Sequence, residues 1–277
     1  MTSNLEWAGR VGDVWAREWQ RTDRSFAGLT PHLIGAALAL APEKGKAIDL
    51  GCGAGETTIA LASARPKLEV AGVDLSADLI TIARWRGAGH ANLTFRVGDT
   101  AALKPASAVD LFLSRHGVMF FDDPVAALSA IRRAGTPDAR LVFSCFRDPG
   151  LNPWSHLLDD PGAPAPAASP VYAPGPFGFA DRDLTAGILT RAGWVDAEAV
   201  PVDYTYIAGA GDNPVDDARL FFSHIGPAAR ALADVAPDQR AVLFDRLDTA
   251  LAAHESEGQI KFPAAAWIWT ARAGDTA

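Results

Sequence analysis

Cysteine is almost missing: two residues, Cys52 and Cys145, in a chain of 277. That excludes a disulfide framework and fits a reducing compartment. Basic residues are in deficit, with 25 Lys and Arg against 33 Asp and Glu and a formal net charge of −8. A nucleic-acid partner normally needs a basic surface, so that class of function is disfavoured. Long apolar runs are lacking too. The longest, Leu33 to Pro42, falls well short of the roughly 20 residues a membrane span requires. The N-terminal MTSNLEWAGRVGDVW has no basic segment followed by an apolar one, so a secretory signal is not expected. Charge is modest at 21% beside 49% hydrophobic residues, which excludes a disordered chain. These absences lead to the expectation of an acidic cytoplasmic protein with one large core.

What is present is an alternation of two periods. Trp7, Val11, Trp15 and Trp19 recur every fourth residue and predict an N-terminal helix with one aromatic side. A second helix is expected over Pro31–Leu40. Strand-like runs follow at Ala47–Leu50, Leu68–Val73, Leu93–Val97, Val109–Ser114 and Leu141–Phe146. Helical spacing fills the gaps at Glu56–Ala64, Ser76–Gly87 and Pro124–Ala134. Alternation of this kind predicts an α/β fold with a parallel sheet covered by helices on both faces. Residues 147–180 are rich in proline and read as loop. A helix is expected at about 181–192, a strand at about 197–207, two amphipathic helices within 214–256, and a closing strand over Ala264–Ala271. Phe244, Leu247 and Leu251 share one face of the second of those helices. The expected organisation is a helical lid over 1–42 and a core domain over 43–277. Within the core lie a proline-rich insertion at about 147–180 and a helical insertion at about 212–257 before the last strand.

The sharpest local pattern is Ala47-Ile48-Asp49-Leu50-Gly51-Cys52-Gly53-Ala54-Gly55-Glu56, a buried strand passing through three glycines directly into a helix. Glycine serves where backbone must turn tightly and admit a ligand without a Cβ in the way. The dinucleotide fingerprint Gly-x-Gly-x-x-Gly would put a glycine where Glu56 stands. A carboxylate at 56, with another at Asp49, would repel a pyrophosphate and tolerate a cation. A nicotinamide oxidoreductase is therefore disfavoured.

With these residues the chain resembles the class I S-adenosylmethionine-dependent methyltransferases, in their small-molecule branch. The resemblance implies a Rossmann-like, seven-stranded, mostly parallel sheet and S-adenosyl-L-methionine as cofactor. It implies that Asp49 contacts the methionine amino group and that Gly51, Gly53 and Gly55 pass against the cofactor. Asp74, closing the second strand, and Leu75 fall where the ribose is held; an acid about 20 residues downstream suits bonding to ribose hydroxyls. The rival role for Asp74 is helix capping, which Ser76 already supplies. Asp99 and Thr100 fall at the adenine position, with capping again the alternative for Asp99. Ser114 and Trp19 complete the expected cofactor contacts. The loop after the fourth strand, Ser114-Arg115-His116-Gly117, borders the transferred methyl in that branch. His116 is the candidate general base, or else a packed histidine; Arg115 either orients an anionic acceptor or pairs with a nearby carboxylate.

Departures narrow the class. The Asp/Asn-Pro-Pro-aromatic run of enzymes that methylate nucleic-acid amino groups is missing, and Asn152-Pro153-Trp154 copies it only superficially. Asp122-Asp123 and Asp212-Asn213 do not match the metal-dependent layout, so no metal is expected. Trp15 and Trp19 suit a lid, or else ordinary core. Trp154, Phe177 and Phe179 suit an acceptor pocket. His156, Tyr172, Tyr206, His224 and His254 are weaker site residues, and Cys52 reads as packing. The expected activity is methyl transfer to O or N of a small apolar or aromatic acceptor. Carbon methylation of a quinone-like or lipid-like substrate, and a non-catalytic cofactor-binding module, stand as alternatives; a homodimer is left open.

Overall fold

The computed structural model describes residues 9–160, 164 and 166–274. Trp7, the first of the expected aromatic stripe, lies outside them. One sheet organises the chain, in the order β3-β2-β1-β4-β5-β8-β6, with β7 on the margin of β8. Its central strands are β1 (Gly45–Leu50), β2 (Leu68–Asp74), β3 (Leu93–Val97), β4 (Val109–Arg115) and β5 (Gly135–Phe146). All four pairings among these five are parallel. The strand β8 (Gln259–Ala273) then runs antiparallel to both β5 and β6 (Trp194–Ala210), and the two-residue β7 (Glu255–Ser256) pairs with β8. The central strands read as continuous apolar runs because both faces are covered. Leu111, Phe112 and Leu113 of β4, and Leu141, Val142 and Phe143 of β5, have no exposed surface.

The covering helices are α1 (Arg10–Arg17), α2 (Trp19–Ser25), α3 (Thr30–Leu40), α4 (Glu56–Ala64), α5 (Ala77–Arg86), α6 (Pro124–Arg133) and α7 (Arg182–Arg191). Three of them start on a side-chain cap that the sequence advertises: Ser76 accepts from Leu79 N–H, Asp123 from Ala126 N–H and Asp181 from Leu184 N–H, each satisfying a donor the first turn leaves open. Before the last strand come α8 (Pro214–His224), α9 (Pro227–Ala233) and α10 (Pro237–Ala252). Among the described residues no helix is long and apolar enough to cross a membrane.

Three expectations are revised. The single N-terminal aromatic helix is two helices, divided at Glu18, whose buried carboxylate is drawn to Arg21 and His224. The helix α3, expected in a lid, sits on the sheet, with Leu33 and Ala37 fully buried in the main core. The helical insertion holds three helices instead of two. Each opens on a proline, whose fixed φ and missing N–H suit the first turn and interrupt whatever precedes it.

Gly55 shows how tightly the first βα unit is built. It takes φ +85°, and a Cβ there would come 2.8 Å from the Phe95 ring. Its task is packing α4 onto the sheet, the work done by the last glycine of the dinucleotide fingerprint one residue later. Gly55→Ala is expected to lower the unfolding free energy by about 2–5 kcal/mol. The left-handed backbone costs about 1–2 kcal/mol, and overpacking adds about 1–3 kcal/mol. Urea denaturation checks this; an unchanged midpoint would contradict it.

Candidate active site

A cavity of about 840 Å³ opens at the carboxyl ends of β1, β2 and β4, the point where strand order reverses and where open α/β sheets bind ligands. Its floor is the glycine turn. Gly51 takes φ +65° and Gly53 φ +53°, and a Cβ on Gly53 would meet nothing within 4 Å. The turn therefore leaves free space above Gly53. Asp74 braces it: one carboxylate oxygen accepts from Gly53 N–H at 2.9 Å and the other from Ser76 N–H at 2.9 Å. Ser76 in turn caps α5, so Asp74 is not the helix cap. Burial raises the Asp74 pKa, against the lowering effect of the Ser76, Gly53 and Leu75 N–H groups. Leu75, Asp99 and Thr100 line the same end, and Asp99 also caps a short turn by accepting from Ala101 N–H at 2.8 Å.

The opposite end is aromatic, walled by Phe26, Phe146, Trp154, Phe177 and Tyr206. Trp154 stacks on Tyr206 with ring centres 5.0 Å apart, and Phe146 lies 4.8 Å from Trp154. His116 joins the two ends. Its ring centre lies 4.2 Å from that of Phe146 and 4.6 Å from that of Phe26. The next residue, Gly117, lies so near the glycine turn that a Cβ on Gly51 would be 3.3 Å from its Cα. The His116 backbone is left-handed at φ +57°, an uncommon state for a non-glycine residue. Its Nδ1 shares a 2.9 Å hydrogen bond with the Ser144 hydroxyl, and its buried Nε2 has no partner. Burial, helped by the charge of Arg115, holds the His116 pKa well below the ordinary 6.5. The ring is therefore neutral.

Several expected site residues stand elsewhere. Asp49 is fully buried and turned away from the cavity lining: one oxygen accepts from both Thr57 and Thr58 hydroxyls at 2.7 Å. Burial raises its pKa, opposed by those two hydroxyls. Its other oxygen is buried without a hydrogen-bond partner among the described residues. Gly55 is likewise outside the lining. Ser114 is a strut, donating to Leu50 O at 2.7 Å and accepting from Gly117 N–H at 3.2 Å. Phe179 is buried against Phe143 and Tyr172, away from the pocket. Asn152 is buried, exchanging bonds with the Ala265 backbone, which disposes of the superficial Asn-Pro-Trp motif. Tyr172 donates to the Met119 carbonyl at 3.1 Å, and His254 packs on Phe262. His156 lies against Ser155.

Arg115 is committed to the protein. It is ion-paired with Glu56 and with Asp23 at 2.7 Å, and donates to Thr30 Oγ1 at 3.0 Å. Burial works against its charge, but Glu56 and Asp23 more than offset this and hold the guanidinium pKa above its ordinary value. It is thus not free to orient an anionic acceptor, and Glu56 is not a bare charge facing the turn. Asp23, which sequence reasoning missed, also pairs with Arg86 at 2.8 Å, and Arg86 lies 4.3 Å over the Trp19 ring. Trp15 and Trp19 line the cavity. So does His224, whose Nδ1 hydrogen-bonds Glu18 at 2.8 Å. Among the described residues no group of three or more His, Cys, Asp or Glu is placed to hold a metal ion.

Comparison with known proteins agrees with this geometry. Residues 42–161 match the family model of a methyltransferase domain. Over 116 residues the chain is 31% identical to the demethylmenaquinone methyltransferase of Deinococcus radiodurans, covering 41% of this chain and 48% of that protein. Over 156 residues it is 30% identical to the trans-aconitate 2-methyltransferase of Variovorax paradoxus, 56% of each chain. The chain spans about half the length of the curated relatives it matches. Among solved structures, Haemonchus contortus phosphoethanolamine N-methyltransferase 2 in complex with S-adenosyl-L-methionine superimposes with a TM-score of 0.57 at 16% identity, over 99% of this chain and 61% of that one. The fold and the glycine turn thus define a nucleotide-crevice α/β protein. More specifically, residues 42–161 are similar to a methyltransferase domain.

Two measurements test the charge assignments. Arg115→Met strands the Glu56 carboxylate and is expected to cost about 3 kcal/mol of stability; an unaltered denaturation midpoint would mean that Arg115 is not structural. The depressed His116 pKa means that the unfolded chain binds a proton the folded chain refuses. The contribution of the neutral ring is complete above pH 6.5 and is lost as pH falls below it. Wild type should therefore lose stability relative to His116→Gln between pH 7 and pH 5; parallel curves would contradict the assignment.

Proposed function

We propose that this protein is an S-adenosylmethionine-dependent methyltransferase acting at O or N of a small acceptor with an apolar or aromatic body. The observation that carries the reading is one continuous cavity with two chemically different ends, acidic at Asp74 and Asp99 and aromatic at Phe146 and Trp154, meeting at His116. A cavity of about 840 Å³ lies in the upper part of the roughly 300–1,000 Å³ typical of ligand sites, enough for a cofactor and an acceptor together.

The residues present fit the cofactor. Asp74 offers a buried carboxylate to ribose hydroxyls, Asp99 and Thr100 stand at the adenine position, and the open space above Gly53 admits a ligand against the backbone. The cofactor supplies an electrophilic methyl group on a sulfonium. The protein's part is alignment in a dry site. The aromatic wall holds the acceptor body by burial and excludes water, with His116 standing between that wall and the glycine turn. Trp15 and Trp19 close the site from the N-terminal side as a lid. A cytoplasmic setting belongs to the same proposal, supported by two buried, unpaired cysteines. Carbon methylation is the second reading, supported by a relative that acts on demethylmenaquinone. Product connectivity separates the two.

Asp74→Ala should weaken calorimetric binding of S-adenosylhomocysteine by about 1–3 kcal/mol, since hydrogen bonds to a charged group are lost. Equal affinity in the two proteins would remove the ribose role.

A further inference from the structure

Several polar side chains of the cavity lining are already engaged. Ser25 donates to Thr22 O at 2.7 Å, Ser223 donates to Arg219 O at 2.6 Å, and Arg115 is held by Glu56 and Asp23. His116 Nε2 is closed off by burial. His224 differs. It lines the cavity, keeps 42% of its side-chain surface, and its Nε2 makes no hydrogen bond among the described residues. Its neighbours in the chain place it at the aromatic end. Two residues earlier, Phe222 stacks on Tyr206 with ring centres 6.4 Å apart; two residues later, a Cβ on Gly226 would lie 4.0 Å from the Trp154 ring.

Glu18 fixes which nitrogen of that ring carries the proton. The residue is only 3% exposed, and both its oxygens are used: Oε1 meets His224 Nδ1 at 2.8 Å, and Oε2 accepts from Arg21 at 2.9 Å. An ionised carboxylate only accepts hydrogen bonds. Nδ1–H therefore donates, and the neutral ring carries a bare lone pair on Nε2. The charges around it are matched without the imidazole. Arg21 and Arg24 stand against Glu18 and Asp217, with Arg21 2.7 Å and Arg24 2.6 Å from Asp217. Two guanidiniums and two carboxylates cancel, so the cluster needs no imidazolium to balance it.

We propose that His224 is a specificity-determining residue that accepts a hydrogen bond from a hydroxyl on the acceptor's aromatic body, with Glu18 as the positioning residue behind it. This rests on the methyltransferase reading and narrows the acceptor to a neutral, hydroxylated aromatic compound. The aromatic wall binds a flat ring system by burial and stacking, which does little to tell one such body from another. A lone pair held in one direction does. A ligand without a donor leaves it unmatched, and an anion meets it with like charge, so both are disfavoured. The contact orients the acceptor in the cavity, and no proton leaves it.

His224 ends α8, and a helix C-terminus favours a cation, so the test begins with the ring's protonation. In ¹⁵N-labelled protein with S-adenosylhomocysteine at about pH 8, the His224 ring, assigned by its loss in His224→Gln, should show a protonated Nδ1 and a bare Nε2. A protonated Nε2, alone or in an imidazolium, overturns the proposal. Glu18→Gln should give mixed tautomers, since an amide either accepts from Nδ1–H or donates to a bare Nδ1; a single retained tautomer removes the role of Glu18. Fluorescence titration then compares 2-naphthol with 2-methylnaphthalene and 2-naphthoate. The naphthol should bind about tenfold more tightly than either. That preference should survive His224→Gln, whose amide oxygen accepts in place of the ring nitrogen, and vanish in His224→Phe. Equal binding, tighter naphthoate, no naphthol binding, or a preference untouched by His224→Phe overturns the specificity role. Binding of S-adenosylhomocysteine alone is measured beforehand. Its failure removes the methyltransferase reading, whereas its success beside a wrong tautomer or a missing preference removes only this inference.

Discussion

A single buried guanidinium ties the roof of the cavity to its floor. Arg115 ends β4, and its ion pairs reach Asp23 in α2 and Glu56 at the head of α4, while Thr30 at the head of α3 takes a third bond. Asp23 carries the connection on to Arg86 of α5. Four helices and the central strand thus meet at one charge. Desolvating a guanidinium is unfavourable unless its partners are close and well placed, so the position of α2 over the glycine turn is a requirement of charge as much as of packing. The same pairing decides what a ligand meets. With Glu56 and Asp23 held by Arg115 and Asp49 bonded to two threonines, Asp74 and Asp99 are the other acidic residues of the cavity lining.

The additions to the core make one wall. Arg21 and Arg24 of α2 both pair with Asp217 of α8, at 2.7 and 2.6 Å, and Glu18 bonds His224 at the end of α8. The Arg21 and Arg24 pairs with Asp217 keep solvent contact and contribute roughly 0–1 kcal/mol each, so burial of Phe26, Phe221 and Phe222 holds the wall more than those two pairs do. What the ion pairs add is direction, because they fix which face of each helix looks into the cavity. That face is aromatic, and it excludes water from the place where the fold brings His116 up to the glycine turn.

The parallel strands and their first crossover helices were legible in the sequence to within a few residues, except that β5 begins at Gly135, six residues before its expected start, because short apolar runs bounded by glycine and aspartate stand out between helical segments. The pattern around Gly51 and Asp74 also located the crevice. Side-chain direction was less accessible. Asp49 looks from the sequence as though it should face a ligand, yet Thr57 and Thr58, eight and nine residues on, take one of its oxygens and it stands outside the cavity lining; two adjacent threonines in a first helical turn were the available signal. Ser114 and Phe179 failed similarly, since what they touch comes from elements distant in sequence. Asp23 could not be found at all: an acid in an arginine-rich helix becomes special only when Arg86 and Arg115 arrive from elsewhere. The third insertion helix was written plainly in Gly226-Pro227 and Ala236-Pro237.

The likeness to solved methyltransferases fixes the fold, and a [4+2]-cyclase superimposes as well, with a TM-score of 0.51 at 19% identity; the chemistry therefore rests on the site itself. The crevice, with Asp74 and Asp99 at one end, is proposed to take an adenosyl-sulfur ligand and to reject a dinucleotide. Side-by-side calorimetry with S-adenosylhomocysteine and NAD tests this most directly. One-to-one binding of S-adenosylhomocysteine with no detectable heat from NAD is the expected result. Tight NAD binding with none of the sulfur compound would contradict the account.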